Sequence, residues 1–325
     1  MAQAVRIHKT GGTEVLCFED VDVVRPAPGE VLVRQTAIGI NFIDIYHRTG
    51  LYPLPSYPAG LGREAAGVVE QVGEGVASLK AGDRVAYCGG PVGAYATYRV
   101  LAAGLLVKIP ENVSDETAAA VMLKGLTAHY LLRTTFRVQK GDQILIHAAA
   151  GGVGLLVCQW AKYLGATVIG TVSTPAKAAL AQQHGCDHAI IYTRENVPQR
   201  IKDITQGKGV DVVYDSVGRT TFMDSLDCLT KFGMLVSFGQ SSGPIPPFDI
   251  SLLSQKGSLY LSRPTLFHHM ADPKEYAANA AELFALVEQN VLKVFIGDTY
   301  NLKDVAQAQT DLESRKTTGA LVLTV

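Results

Sequence analysis

The chain has 325 residues, 47% hydrophobic and 18% charged, which is enough apolar material for about two domains and too much for a disordered or low-complexity chain. Lys plus Arg number 29 against 30 Asp plus Glu, a formal charge of -1. The basic excess of a dedicated nucleic-acid binder is missing, so no nucleic-acid partner is expected. No run reaches the roughly 18 apolar residues that cross a bilayer, and Met1 to Thr10 lack the apolar core of a signal peptide. Cys17, Cys88, Cys158, Cys186 and Cys228 contain no Cys-x-x-Cys pair, which argues against a disulfide framework or a structural zinc and for a reducing cytoplasm.

The first third reads as β-rich. Short β-branched runs at 4–8, 31–38, 66–72 and 84–87 are separated by Gly and Pro clusters, the spacing of a small barrel or sandwich. The segment Gly50–Gly60, with three prolines, is a rigid loop that carries Tyr52. Near Ser114 the pattern turns helical, with Ser114 as N-cap and acids in the first turn. From about Gln143 to Leu261 apolar strands alternate with helical stretches. Strands are expected at 144–147, 167–172, 189–191, 210–214, 234–238 and 258–261, and helices near 152–164, 175–184, 195–205 and 220–229. Repeated βα units imply a parallel sheet covered on both faces. A helix from Pro273 to about Gln289, a second after Asn301 and a last strand at 320–325 complete the chain. That terminal strand needs a partner, and the β-rich first third supplies one. The expected organisation is α/β: a discontinuous β-barrel domain of residues 1–124 and 265–325, with a doubly wound parallel-sheet domain of residues 125–264 inserted in it.

The sharpest local signal is Gln143-Ile-Leu-Ile-His-Ala-Ala-Ala-Gly-Gly-Val-Gly-Leu155, a strand, a glycine turn and a helix start. Ala149-x-Gly151-x-x-Gly154 is a close variant of the dinucleotide fingerprint. Gly151 lets backbone approach a diphosphate, Gly154 lets the helix pack closely on the strand, and the amides of Gly151, Gly152, Val153 and Gly154 present N–H groups at the helix start. The end of the next strand sets the cofactor. NAD-binding folds place an acid there for the ribose 2′-hydroxyl. Gly170-Thr-Val-Ser-Thr-Pro-Ala-Lys177 contains none, while Ser173 and Lys177 suit a 2′-phosphate. NADPH is the expected cofactor.

Three blocks carry a family resemblance: Gly39-Ile-Asn-Phe-Ile-Asp44; Gly62-Arg-Glu-Ala-Ala-Gly67 continuing through Gly73 and Val76 to Gly82-Asp-Arg-Val85; and Gly141-Asp-Gln through Gln159-Trp-Ala-Lys162. Together they resemble the medium-chain dehydrogenase/reductase superfamily, and the third resembles its quinone oxidoreductase (ζ-crystallin-like) family, the bacterial NADPH:quinone reductases in particular. The resemblance implies a GroES-like barrel beside a Rossmann domain, with the acceptor between them. Zinc-dependent relatives carry Cys and His where this chain has Asn41 and Arg63, and Glu64 alone cannot hold a metal. A zinc-free branch follows, without metal or flavin. Loss of a Lewis acid disfavours alcohol oxidation, whereas a quinone or enone delocalises the incoming charge itself.

The resemblance also assigns contacts. Asn41 meets the nicotinamide ribose or the acceptor. Tyr46 and Tyr52 line the acceptor pocket, either donating to a quinone oxygen or only shaping the wall. Thr127 and Tyr130 face the nicotinamide. Tyr192 flanks the adenosine phosphate. Ser216 ends the fourth strand, Phe238, Gly239 and Ser241 end the fifth, and Arg263 follows the sixth; all are cofactor contacts in this reading. Arg315 is placed on the 2′-phosphate. His147 and Asp215 are read as structural. The strand at 258–261 is expected at a sheet edge, and pairing across a two-fold axis to give a homodimer is implied. The leading expectation is hydride transfer from NADPH to a quinone. The alternatives are an NADPH-dependent enone or enoyl (C=C) reductase, and an NADPH- and RNA-binding protein with little turnover.

Overall fold

The computed structural model describes residues 2–325. In chain order the first elements are β1 (Ala2–Ile7), β2 (Cys17–Val21), β3 (Glu30–Ile40), α1 (Phe42–Thr49), β4 (Ala59–Gly60), β5 (Glu64–Val72), β6 (Arg84–Cys88), β7 (Tyr98–Ala102), β8 (Val107–Lys108) and α2 (Asp115–Tyr130). Next come β9 (Gln143–Ile146), α3 (Gly152–Tyr163), β10 (Thr167–Val172), α4 (Pro175–Gln183), β11 (His188–Ile191), α5 (Val197–Ile204) and β12 (Val210–Asp215). The chain continues through α6 (Phe222–Asp227), β13 (Leu229–Ser237), α7 (Ser251–Gln255), β14 (Tyr260–Ser262) and α8 (Leu266–His269). It ends with α9 (Pro273–Glu288), β15 (Ile296–Asn301), α10 (Val305–Glu313) and β16 (Ala320–Thr324). Two compact units result: residues up to Leu126 with Asp272–Glu288 and Val294–Val325, and Thr127–Ala271 with Gln289–Lys293. The division falls inside α2, two residues past the boundary read from the sequence, and residues 265–271 group with the second unit.

The first unit is built on β3. One edge of this long strand pairs antiparallel with β5, and the other is shared by β7 (Glu30 opposite Ala102) and β16 (Ile40 opposite Leu321). The C-terminal strand thus finds its partner in the N-terminal part. The full order is β15-β16-β3-β5-β6-β8, with β2-β1-β4 as a second sheet. Val5 and Ile7 of β1, Val33 and Ile38 of β3, Tyr87 of β6 and Leu323 of β16 share one buried core, so the two sheets close on each other as in a GroES-like β fold. The helix α1 was not read from the sequence. It is two turns long, and its cap, Asn41, sits directly after β3.

The second unit holds six parallel strands in the order β11-β10-β9-β12-β13-β14. This is the doubly wound Rossmann order, and it reverses between β9 and β12. Ile144, Leu145 and Ile146 are fully buried, as expected of a strand covered on both faces. The sheet ends in β14, whose Tyr260 and Leu261 are exposed. Strand β13 starts five residues earlier than read from the sequence and β14 two later. Among the described residues, no helix is long and apolar enough to cross a membrane.

Candidate active site

In the second unit, β9 delivers the chain to a tight turn. Ala148 takes a φ of 55°, and its amide neighbour Ala149 donates to Thr171 of β10. Gly151 then caps α3 in extended conformation, with no side-chain bond to the first turn. The first-turn amides of α3 therefore have no acceptor within the helix and carry the positive end of its dipole. A Cβ on Gly151 would meet only the Ala148 carbonyl at 3.3 Å, so the space before the helix is open to a ligand. A Cβ on Gly154 would collide with the carbonyls of Ala148 and Ala149, which is why the helix can lie so close to the turn.

The other residues that the sequence assigns to the nucleotide lie mostly at the carboxyl ends of the same sheet. Ser173 follows β10, and its carbonyl accepts from Thr193 Oγ1 at 2.9 Å. Lys177 lies in the first turn of α4, which Thr174 caps. Tyr192 follows β11, is exposed, and is tied to β10 through Val172. Ser216 follows β12 and accepts from the Ser241 amide at 3.1 Å, while Phe238 donates to Asp215 at 2.8 Å. A Cβ on Gly239 would come within 2.7 Å of the Ser216 carbonyl, so the loops after β12 and β13 touch backbone to backbone. Arg263 braces the second of these, donating to the carbonyls of Ser237 at 2.8 Å and Gly239 at 3.1 Å. Thr127 and Tyr130, on the last turns of α2, are buried. Tyr130 stacks flat on His269, with centroids 4.6 Å apart, and burial raises its phenol well above the usual range.

Asp215 is a structural hub. It accepts from the amides of Val217 and Gly218 and from the hydroxyls of Thr221 and Ser225. His147 contacts Ser225 and Thr171, each at 3.0 Å. All three of His147, Ser225 and Asp215 are buried, and burial keeps the imidazole neutral. Serine stands between acid and histidine here, so the order needed for a nucleophilic triad is absent from this group.

The first unit holds a different kind of site. Asn41 Nδ2 donates to Glu64 Oε1 at 2.7 Å. A carboxylate only accepts, so the amide nitrogen must face Glu64. Glu64, the first residue of β5, is fully buried and also takes Lys124 Nζ at 2.6 Å and the Leu123 amide at 2.6 Å. Gly39 lies opposite Glu64 across the ladder, and a side chain there would collide with Oε1 and with the Ala119 carbonyl. One turn into α1, Asp44 Oδ2 accepts from the Asn41 amide at 2.9 Å and from Tyr95 Oη at 2.8 Å. Oδ1 of Asp44 is buried with no hydrogen-bond partner. Burial outweighs the two donors, with Glu64 adding repulsion, and raises the Asp44 pKa to about 7.

Tyr46 is buried on α1 and Tyr52 half-buried in the following loop. Their rings meet edge to face at 5.1 Å. His47 fixes that loop. Arg63 Nη2 lies 3.2 Å from Nε2, and a guanidinium only donates, so the ring proton sits on Nδ1 and goes to the Tyr52 carbonyl at 3.2 Å. Burial and Arg63 both lower the His47 pKa and keep it neutral. Arg315, also in this unit, follows α10 with a φ of 59°.

This donor set does not fit zinc. An amide and a guanidinium stand where thiolate and imidazole would be needed, and both Glu64 oxygens already serve N–H donors, one of them an ammonium. The second unit does fit a phosphorylated dinucleotide: open space before α3, first-turn amides of α3 with no acceptor in the helix, and Ser173 and Lys177 without an acid after β10. The Lys124–Glu64 bond and the His47–Arg63 brace were not read from the sequence. Lys124 left one trace, a lone cation within the apolar run 118–126.

Residues 27–111 match the alcohol dehydrogenase GroES-like domain family and residues 152–285 the zinc-binding dehydrogenase family. The chain is 52% identical over 323 residues to a quinone oxidoreductase of Pseudomonas aeruginosa, covering 99% of both chains. It is 45% identical to a 2-haloacrylate reductase of Burkholderia sp, again covering 99% of each. The crystal structure of Escherichia coli quinone oxidoreductase complexed with NADPH matches at a TM-score of 0.98 and 48% identity, covering 100% of both chains.

Proposed function

The chain belongs to the quinone oxidoreductase family of medium-chain dehydrogenases and reductases, and on that premise we propose that it catalyses the reduction of a quinone by NADPH. When bound, NADPH supplies a hydride; the chain's own part is to hold, orient and exclude. The turn at Gly151–Gly154 and the first amides of α3 take the diphosphate. Ser173 and Lys177 take the 2′-phosphate, with Tyr192 beside the adenosine. Ser216, Phe238, Gly239 and Ser241 line the strand ends, with Thr127 and Tyr130 on the nicotinamide side. Arg263 acts through the loop it braces.

Asn41, Tyr46 and Tyr52 are assigned to the acceptor. Asn41 offers it an N–H whose direction is set by Glu64. The two tyrosines form a rigid aromatic wall. The observation that carries the reading is the Lys124–Glu64–Asn41 cluster. Its one cation is an ammonium already bound to the carboxylate, so nothing in it stabilises an alkoxide as a Lewis acid would. Such a site suits an acceptor that spreads the incoming charge itself. The enzyme is therefore read as working without zinc. The same observation is compatible with reduction of a conjugated C=C bond, and the 45% identical 2-haloacrylate reductase favours keeping that second reading.

A homodimer is supported by β14, an edge strand with Tyr260 and Leu261 exposed, which a two-fold copy would cover. Five cysteines outside any disulfide suit a reducing cytoplasm. The deciding experiment follows NADPH consumption with benzoquinone, phenanthrenequinone, a simple enone and 2-chloroacrylate, each repeated with NADH. Rapid turnover of a quinone with preference for NADPH is expected. Turnover confined to the C=C acceptors would replace the quinone reading, and turnover that required added zinc would refute the metal-free one.

A further inference from the structure

On the hairpin formed by β1 and β2, a thiol, an imidazole and a carboxylate meet. Arg6 pairs with Cys17 and Ala4 with Glu19. Directly paired residues share a face, as do residues two apart along a strand. Arg6, Cys17 and Glu19 therefore project to one side, and His8, two residues past Arg6, joins them. One donor atom from each of His8, Cys17 and Glu19 lies within 4.8 Å of the other two, and His8 Nε2 is 2.5 Å from Glu19 Oε1. Among the described residues no other three His, Cys, Asp or Glu side chains gather in this way. Cys17 is also the cysteine that the fold leaves partly open; the other four are buried.

The donor types select the ion. Calcium and magnesium take oxygen ligands, whereas thiolate with imidazole and one carboxylate suits zinc. Bond lengths of about 2.0–2.3 Å put the ligand atoms around a tetrahedral zinc roughly 3.3–3.6 Å apart. Reaching that spacing takes side-chain rotation of about an ångström and leaves the strands in place. We propose that His8, Cys17 and Glu19 bind Zn²⁺ through three protein ligands and a water, stapling the first two strands of the chain together. The ion takes the thiolate, the neutral imidazole and the carboxylate, and the thiol proton leaves to the buffer. Arg6 opposes the ion: its Nη1 approaches Glu19 Oε2 at 3.6 Å, with a third of its side chain exposed. This site is separate from the Asn41–Glu64 cluster and does not depend on the catalytic reading.

The test uses the full chain stripped with a chelator, titrated with zinc by calorimetry and with cobalt by absorbance. One zinc per chain is expected, together with a thiolate-to-cobalt charge-transfer band. Cys17→Ser should abolish the band, and His8→Ala should weaken zinc binding by roughly tenfold or more. Removing the opposing charge, Arg6→Gln, should tighten it. Saturating zinc should raise the Tm of the wild type and not that of Cys17→Ser, while quinone turnover stays the same in both. A cobalt band that persists in Cys17→Ser, absence of zinc uptake by the wild type, or uptake lost in Glu64→Gln instead would each overturn the proposal.

Discussion

At the start of α3 the chain clears side chains away; at the start of α1 it packs charged ones in. The turn around Gly151 works with backbone amides, and its specificity lies in atoms that are absent: Gly154 has no room for a Cβ, and Gly151 has open space that a ligand needs. The cluster around Asn41 works with side chains from the start of α1, from β5, from α2 and from Tyr95 ahead of β7, all buried, and its order depends on every donor finding its acceptor. The first site has no room for an added atom at Gly154 and keeps open the room at Gly151, whereas the second tolerates no atom removed. A backbone cradle suits a ligand whose recognised parts are phosphates. A buried ionic network suits a group whose direction must be held while the acceptor varies.

The contrast breaks most visibly at Lys124. Removing one partner of a buried ion pair leaves the other charge uncompensated, at a cost of about 3–5 kcal/mol. Lys124→Met should lose that much in urea denaturation, because Glu64 is fully buried. The double variant Lys124→Met, Glu64→Gln should recover most of it, since no charge then stays unpaired. Losses that simply add would mean that Lys124 contributes packing and not charge.

Asp44 gives the next largest effect, and it depends on pH. Its pKa is raised from 3.8 to about 7, chiefly by burial, so the folded chain holds the proton more tightly than the unfolded one. The stability this contributes is complete below about pH 4 and is lost as pH rises through about 7, a swing on the order of 4 kcal/mol. Asp44→Asn should remove that swing, so the Tm difference between variant and wild type grows in the variant's favour from pH 5 to pH 8. His47, held neutral by burial and Arg63, works in the opposite direction in both proteins and cancels in the comparison. A difference that does not change with pH would show Asp44 to be ionised throughout.

These two sites were not equally legible. The glycine turn lies within a dozen consecutive residues, and the strand and helix around it follow from the local apolar pattern. β10 runs over Thr167–Val172 as read from the sequence. That the strands run parallel follows from the same βα alternation. The α1 cluster joins residues 41, 44, 64, 95 and 124, most of which lie far apart in the chain and which meet only through tertiary packing. Asn41 was singled out for the cysteine it replaces and Glu64 as a carboxylate that cannot hold a metal alone, but the ammonium that Glu64 binds was invisible, because a lysine in an apolar helix says nothing about which carboxylate it meets. α1 itself was missed for a similar reason: two turns are too short for a helical period to register.

The nucleotide side is sharpened by Gly151→Val. The new side chain fits the fold, with only the Ala148 carbonyl near at 3.3 Å, and fills the space assigned to the diphosphate. NADPH affinity should fall by about 100-fold, ~2.7 kcal/mol, with an unchanged circular dichroism spectrum. Unaltered affinity would remove the diphosphate from this turn.

Lys177→Ala carries the smallest effect and the finest distinction. Lys177 stands half-buried in the first turn of α4, where the helix start already favours an anion. A solvent-accessible ammonium against a phosphate is worth roughly a tenfold change, ~1.4 kcal/mol. KM for NADPH should rise by about that factor while KM for NADH, which lacks the 2′-phosphate, stays within about twofold. The loss should shrink at high salt, because an exposed charge pair is screened. Equal changes for both cofactors would mean that Lys177 supports the helix and not the 2′-phosphate, leaving Ser173 and the absence of an acid after β10 as the source of any preference.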